Sequence, residues 1–504
     1  MLSLRQMSER PEYKLRKIAE VSLLLAAGAC LVLFLVRIYY AISFVTPYML
    51  STTGFEWENL FSIWKFTQHQ PVYTDPHRIP FTVSYYNWAY YELYGSITKA
   101  FLHLLHLDAV WIPTIGRFVS LAFTLITGGI FFLAARDFVK GGFFANPAVA
   151  WAWVLIAAFS PLVGFWSITV RPDMGALAFE AAGLYVFLRY LLKPETRLIV
   201  VAALLFYAAW AFKQSSVTTL TGSVLVLLLL KHWRAFFTLS GIWWTLVIVT
   251  LVVGGPTYRE NILFSQQHLP MTVSLGLENT LRAVCKNPFL LLCLPMILSL
   301  SFRKFRFLVS RPIAAAFLLV VSFSFFFALV TSCKYGANDN YYIPVAWTAM
   351  LGIALMLDQM NSRWVLAGLV ICSWLMVGAI AFTPTGQTFN YDYRDQDSRF
   401  RAVAEKLRHL PAPALVIPPY GDLPWVQPVP PHFVIPDTYY YDRNAGIPLQ
   451  DGGWENLASE GYFGALVFDQ SYTPAPSVLQ KYELVDEYTD GRADLKFYRR
   501  IGSE

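Results

Sequence analysis

The chain has 504 residues, 56% of them hydrophobic and only 14% charged, with a formal net charge of +6. That charge is too sparse to cover a water-soluble protein of this length, and long blocks such as Leu23–Val36, Asn146–Val170 and Leu198–Phe212 carry none. The composition excludes a soluble globular enzyme, and Lys and Arg sit in short clusters between the apolar blocks, so the positive balance gives no argument for a nucleic-acid partner.

In chain order, the apolar runs predict about eleven membrane-spanning helices. They lie near 18–42, 112–135, 146–166, 173–191, 198–212, 215–230, 236–255, 287–302, 312–332, 341–358 and 364–382. The first is too long for a secretory signal and no small-residue cleavage site follows it, so it is expected to be retained. The N-terminus carries Arg5, Arg10, Lys14, Arg16 and Lys17. Alternate connections carry Arg136 and Lys140, then Arg189, Lys193 and Arg197, then Lys231 and Arg234, then Arg303, Lys304, Arg306 and Arg311. Short basic connections are cytoplasmic, which places the N-terminus inside and, with an odd number of spans, the C-terminal tail outside. The five cysteines (Cys30, Cys285, Cys293, Cys333, Cys372) show no CxxC spacing, which argues against zinc or a disulfide framework. No internal repeat or low-complexity segment is evident.

The other connections, 43–111, 167–172, the tip at 213–214, 256–286 and 333–340, are long or rich in aromatic, acidic and isolated basic residues. By the same alternation they share the outer face. The expected division is a membrane domain over 1–385, including the long loop 43–111, followed by a small domain over 386–504. In the latter, "ALVIPPY" and "GALVFDQ" read as short buried strands and "RFRAVAEKLRHL" as an amphipathic helix. The fold class is therefore an all-α polytopic membrane protein with a small C-terminal α/β domain.

The polar clusters hardest to explain as topology signals all fall on that outer face. Glu56 and Glu58 follow the first span, two residues apart, so on a helix they point to different faces and one is a bystander. Arg171 and Asp173 flank Pro172, a pattern equally suited to a tight turn with a local ion pair and Asp at a helix start. Fifteen uncharged residues separate Arg197 from Lys213, a helix of about 22 Å at ~1.5 Å per residue. The tip carrying Lys213 and Gln214 then lies below the outer surface, where a lysine is costly unless it meets water or an anion, or snorkels. "CKYGANDNYY" supplies Lys334, Asn338, Asp339, Asn340 and Tyr341.

The first loop continues "EWENLFSIWKFTQHQPVYTDPHRIPFTVSYYNWAYYELYG", and "GRFVSLAF" opens the second span. This order of an acid, an apolar-spaced helix, "QPVYTDP" and a Tyr-rich segment resembles bacterial membrane glycosyltransferases of the GT-C fold. The likeness is to the family-39-like group related to protein O-mannosyltransferases and the lipid A aminoarabinose transferase. "SPLVGFWSITVRPDMGALAFE", "AFKQSS" and "GANDNYYIP" fall where that group has later outer-face motifs, and the resemblance covers roughly 45–385. Many members begin the loop with Asp-Glu where this chain has Phe55-Glu56, so the catalytic place is open between Glu56 and Glu58; spacing to "QPVY" favours Glu56.

The resemblance implies a sugar donor on a polyprenyl phosphate. It also implies a lipid, glycan or protein acceptor, surrounding membrane lipids and no nucleic acid. The expected site is Glu56, Glu58 and Asp173 for catalysis, and Lys213, Gln214, Arg171 and Lys334 for the donor phosphate. Tyr73, Tyr85, Tyr86, Asn340 and Tyr341 are the expected substrate contacts. A carboxylate takes the acceptor proton as general base, and the cations stabilise the departing phosphate. A divalent metal between Asp173 and Glu56 is an option that the lysine makes unnecessary, and no metal ligands are assigned. The implied location is a bacterial inner (plasma) membrane with the site and C-terminal domain outside. The alternative class is a transporter or flippase of a lipid-linked sugar, which places charges within spans near the midplane. A scaffold that only displays the C-terminal domain leaves Lys213 and Glu56 without a purpose. The topology makes a direct prediction. A reporter active only outside the cytoplasm, fused after Gly386, will be active; a fusion active only in the cytoplasm would shift the span count by one and undo the shared-face argument.

Overall fold

A computed structural model of the chain describes residues 11–43, 56–139, 142–293, 311–360, 363–382, 404–417, 431–469, 472–489 and 494–502. The helices in chain order are α1 (Pro11–Ser43), α2 (Glu56–Thr67), α3 (Trp88–Leu104), α4 (Ile112–Phe138), α5 (Pro147–Phe159), α6 (Pro161–Trp166) and α7 (Asp173–Leu192). There follow α8 (Thr196–Phe212), α9 (Thr218–Leu229), α10 (Trp233–Val253), α11 (Gly255–Arg259), α12 (Val273–Lys286), α13 (Pro312–Thr331), α14 (Ile343–Met360) and α15 (Arg363–Phe382). The short helices α16 (Asp437–Asn444), α17 (Trp454–Glu460) and α18 (Pro476–Leu479) complete the list. Strands β1 (Ala414–Ile417), β2 (Ala465–Asp469), β3 (Tyr482–Thr489) and β4 (Asp494–Arg500) lie near the C-terminus.

Every expected span but one is helical. The exception, 287–302, is described only to Cys293, where Pro288–Leu292 is a short 3-10 helix. Among the described residues, 6 helices are long and apolar enough to cross a membrane, and α5, α8 and α9 are apolar but shorter. The expected span 146–166 is broken into α5 and α6. Pro161 has no N–H to continue the ladder, and Ser160 restarts it by accepting from the Val163 N–H at 3.4 Å. Arg5, Arg10, Lys140, Arg303, Lys304, Arg306 and the start of the expected helix at 399–410 lie outside the described residues; 404–407 are helical.

The chain divides into two compact units built from discontinuous segments. The first comprises Met1–Ala41, Arg117–Thr250 and Pro270–Asn390. Within it α7 packs closely on α8. A Cβ on Gly175 would lie 2.5 Å from the Phe212 ring, and one on Gly183 2.7 Å from the Phe206 ring. The two glycines therefore let the helices approach closely, as small residues do in membrane interfaces.

The second unit comprises Ile42–Gly116, Leu251–Leu269 and Tyr391–Glu504. This line differs from a cut at residue 385, because the long first loop groups with the C-terminal segment. Its sheet has the order β1-β2-β4-β3, with β1 parallel to β2 and the other pairs antiparallel. The two expected strand segments are β1 and β2. Phe81 of the first loop is buried in the same core as Leu415, Phe433, Trp454, Leu466 and Phe468.

Polar contacts tie the three segments of this unit together. The Asp442 carboxylate lies 3.1 Å from His77 Nε2 and 2.7 Å from His268 Nδ1. Asn261 accepts from the Ser84 N–H at 2.8 Å and donates to the Thr74 carbonyl at 2.8 Å. Hydrogen bonding to Asp442 raises the His77 pKa above its ordinary value against partial burial, with Asp442, Asp75 and Glu260 adding their charges. A pKa raised on folding stabilises the fold below the unfolded value of ~6.5, and that contribution is lost as pH rises through the raised value. The thermal midpoint of the purified protein will therefore fall as pH is taken up from about 6 through that value. His77→Gln will flatten the slope; an unchanged slope in the variant would remove His77 as its source.

Candidate active site

Asp173 opens α7, and Lys213 follows the last residue of α8. Both placements suit the helix dipoles, an acid at an N-terminus and a base at a C-terminus. The two helices are antiparallel neighbours, so the beginning of one meets the end of the other. Lys213 Nζ donates to Asp173 Oδ1 at 2.6 Å, Asn340 Nδ2 donates to the same oxygen at 2.7 Å, and Arg171 Nε donates to Oδ2 at 3.1 Å. The side chains are almost closed off: Lys213 and Arg171 are 9% exposed and Asp173 3%. Aromatic faces complete the cation sites. The Lys213 ammonium lies 4.8 Å from the Tyr341 ring centre, and the Arg171 guanidinium 5.0 Å from that of Trp166, within cation–π range.

Arg171, Asp173, Lys213, Asn340 and Tyr341, which the sequence reading assigned to separate motifs, thus form one cluster. The local Arg171–Asp173 pair is formed, and Lys213 and Asn340 join it. The two Asp173 carboxylate oxygens are engaged by two cations and an amide. Gln214 is next to Lys213 at the tip. Lys334 is half-buried, which lowers its pKa, and its backbone pairs with Met271; it is not among the residues lining the cleft at Asp173.

That narrow cleft is lined by Asp173, Glu180, Lys213, Ser216, Asn340 and Tyr341, among others. Glu180 was missed from sequence. It is 2% exposed, with Thr219 beside it, yet neither carboxyl oxygen is in a well-formed hydrogen bond among the described residues. The available signal was its spacing. Glu180 stands seven residues after Asp173, about two turns along the same face.

In the second unit, Glu56 and Glu58 both sit in the first turn of α2 and are 3% and 2% exposed. Both are buried, so neither is a solvated loop acid. Glu58 is near Tyr85, whose pKa is held well above its ordinary value first by burial and then by the Glu58 charge. Tyr85 and Tyr86 are buried, and Tyr85 is within 3.2 Å of the Thr438 hydroxyl. Tyr73 donates to the Tyr86 carbonyl at 2.7 Å and meets the Tyr91 and Tyr258 rings edge-on. Tyr85 and Tyr86 are thus packed into their unit, and Tyr73 is half-buried beside them. Lys65, also missed, lies seven residues after Glu58. It donates to the Val72 carbonyl at 2.6 Å, and burial pushes its pKa down to about 7. Among the described residues, no three His, Cys, Asp or Glu side chains are grouped to hold a metal ion.

No protein-family model and no curated protein sequence matches this chain. Solved structures do. The crystal structure of ArnT from Cupriavidus metallidurans bound to undecaprenyl phosphate matches with a TM-score of 0.57 and 13% identity, over 93% of this chain and 97% of that one. The apo state of the same protein matches with a TM-score of 0.57 and 14% identity, over 94% and 98%. The archaeal oligosaccharyltransferase AglB from Archaeoglobus fulgidus, in complex with an inhibitory peptide and a dolichol-phosphate, matches with a TM-score of 0.50 and 11% identity, over 88% of this chain and 69% of that one. At such identities the likeness is one of fold, and it is nearly end to end for ArnT: the chain is a polytopic membrane protein of the GT-C fold.

Proposed function

We propose that this protein transfers a sugar from a polyprenyl-phosphate donor to an acceptor hydroxyl at the outer face of a bacterial plasma membrane. The observation that carries the reading is Lys213, an enclosed cation at a helix end, gathered with Arg171 and Asn340 around Asp173. Fold neighbours solved with undecaprenyl phosphate and with dolichol-phosphate support a lipid phosphate as the ligand of such a site. The sugar and the acceptor are left unspecified.

The chemistry follows from the bonds exchanged. The acceptor oxygen attacks the anomeric carbon, the bond from that carbon to the phosphate oxygen breaks, and the lipid phosphate leaves with the electron pair. The acceptor proton passes to a carboxylate. Glu56 is assigned that role by its place in the first loop, with Glu58 as the other candidate. Lys213 and Arg171 meet the charge that grows on the leaving phosphate, in a pocket shielded from water where such interactions are strongest. One displacement without a covalent sugar inverts the anomeric carbon.

Lys213→Ala will weaken binding of undecaprenyl phosphate by about tenfold or more, the size of a lost charge-assisted hydrogen bond. Lys213→Arg will retain part of the affinity because charge is kept and geometry changed. Wild-type affinity in Lys213→Ala, measured on protein with a normal thermal midpoint, would remove Lys213 from the site. Glu56→Gln keeps shape but cannot take the proton, so transfer will fall by ~10²–10⁴-fold with donor binding little changed. Glu58→Gln, at a position buried beside Tyr85, will act mainly by lowering the thermal midpoint. The reverse assignment of the two effects would move the base to Glu58. The flippase reading has Glu180, an acid in the body of a span, in its favour. Passage of lipid-linked sugar across a vesicle membrane without transfer to any acceptor would decide for it.

A further inference from the structure

Asp339 is fully buried and is not part of the Asp173 cluster. Its carboxylate is held from two sides. Trp166 Nε1 donates to Oδ1 at 3.1 Å, and Lys286 Nζ, at the end of α12, lies 2.6 Å from Oδ2. The Lys286 side chain is 12% exposed and also lies 5.6 Å from the Phe165 ring centre. Asp339 opens a 3-10 turn, Asp339–Tyr342, capped by the Asn338 side chain, which accepts from the Asp339 N–H at 2.8 Å. At the far end of the turn, the Tyr342 hydroxyl lies 2.5 Å from that of Thr280 on α12. The two residues between these anchors, Asn340 and Tyr341, are those that reach Asp173 and Lys213.

We propose that the Lys286–Asp339 ion pair is a positioning device that sets the Asn340 amide and the Tyr341 ring against the Asp173–Lys213 pair. The inference rests on reading Lys213 as the phosphate-binding cation. Three observations favour it over a purely architectural role. The pair sits next in sequence to both contacts it is said to place. Its third member, Trp166, stacks against Arg171, so the same carboxylate also orients the second cation of the cluster. And the turn is too short to absorb a misplaced first residue: a displacement of Asp339 is carried directly into Asn340. Asp339 is thereby given a structural task, and Lys286, invisible as a motif, becomes part of the binding apparatus without touching the ligand.

The test is binding of undecaprenyl phosphate to the full-length protein in detergent, read as Kd for a double-mutant cycle. Lys286→Met will weaken binding by roughly 3- to 30-fold, within the range of coupled neighbours, and Asn340→Ala by a similar factor. With Asn340 already removed, Lys286→Met will add less than about twofold, because its effect travels through the turn. Equal losses in both backgrounds would overturn the proposal. Where Lys286→Met fails to fold, the neutral pair Lys286→Gln with Asp339→Asn leaves no orphaned charge. Affinity of that pair equal to wild type in the presence of Asn340, with Asp339→Asn alone also at wild type, would overturn the proposal as well. Lys213→Ala serves as the reference. If it loses affinity while the Lys286 variants do not, the positioning role fails alone; if it binds as wild type, the phosphate reading fails first.

Discussion

The Asp173 carboxylate is the point on which the membrane unit is organised. Three donors from separate stretches of chain converge on two oxygens: Arg171 from the turn before α7, Lys213 from the end of α8 and Asn340 from the turn before α14. Two buried cations of like sign are held close together only because an anion stands between them. Removing one partner of such an arrangement leaves an uncompensated buried charge, which is far costlier than the net worth of the pair. The close fit of α7 on α8 at Gly175 and Gly183 follows from the same demand, since the distance from Asp173 to Lys213 is fixed by how near these two helices come.

The second unit is organised by a different kind of constraint. Ordering a long loop costs conformational entropy. The loop inserts Phe81 into the core of the C-terminal sheet, with its backbone held by Asn261 and its His77 side chain by Asp442. Three segments far apart in sequence become one body, and that body holds Glu56 and Glu58 out of water at the start of α2. Burial of both acids changes what they can mean: a solvated loop has no reason to enclose two carboxylates.

Most of the expected spans are helices among the described residues because an apolar run of sufficient length has few alternatives, and the break at Pro161 was written in a residue that cannot continue a helix. The place of Lys213 at a helix end was also legible, because the fifteen uncharged residues after Arg197 form α8, which stops at Phe212. What the sequence could not convey is pairing across distance. Nothing local to Asn340 says that its amide meets Asp173, 167 positions earlier, and nothing local to His77 says that it meets Asp442, 365 positions later. Lys286 and Lys65 were hidden for a related reason. A lysine at the end of an amphipathic helix reads as solvated, and only the fold shows each one turned inward. Glu180 differs from these, because its only signal is local, the two-turn spacing from Asp173 along α7.

The resting state of the cluster bears on how an anion would enter it. An ammonium carries three donors; Asp173 takes one of those of Lys213, and the ring of Tyr341 lies beside the group. A phosphate need not displace Asp173 to bind. It can accept from a remaining donor while the carboxylate keeps the lysine in place, so the site is organised before its ligand arrives and pays little reorganisation on binding. Asp173 at the same time limits how strongly the anion is held, because its own negative charge stays within the cluster. On the proposed reading, in which a lipid phosphate leaves after each transfer, moderated affinity is an advantage: cations tight enough to stabilise the leaving group but opposed by a resident anion favour turnover over a trapped product.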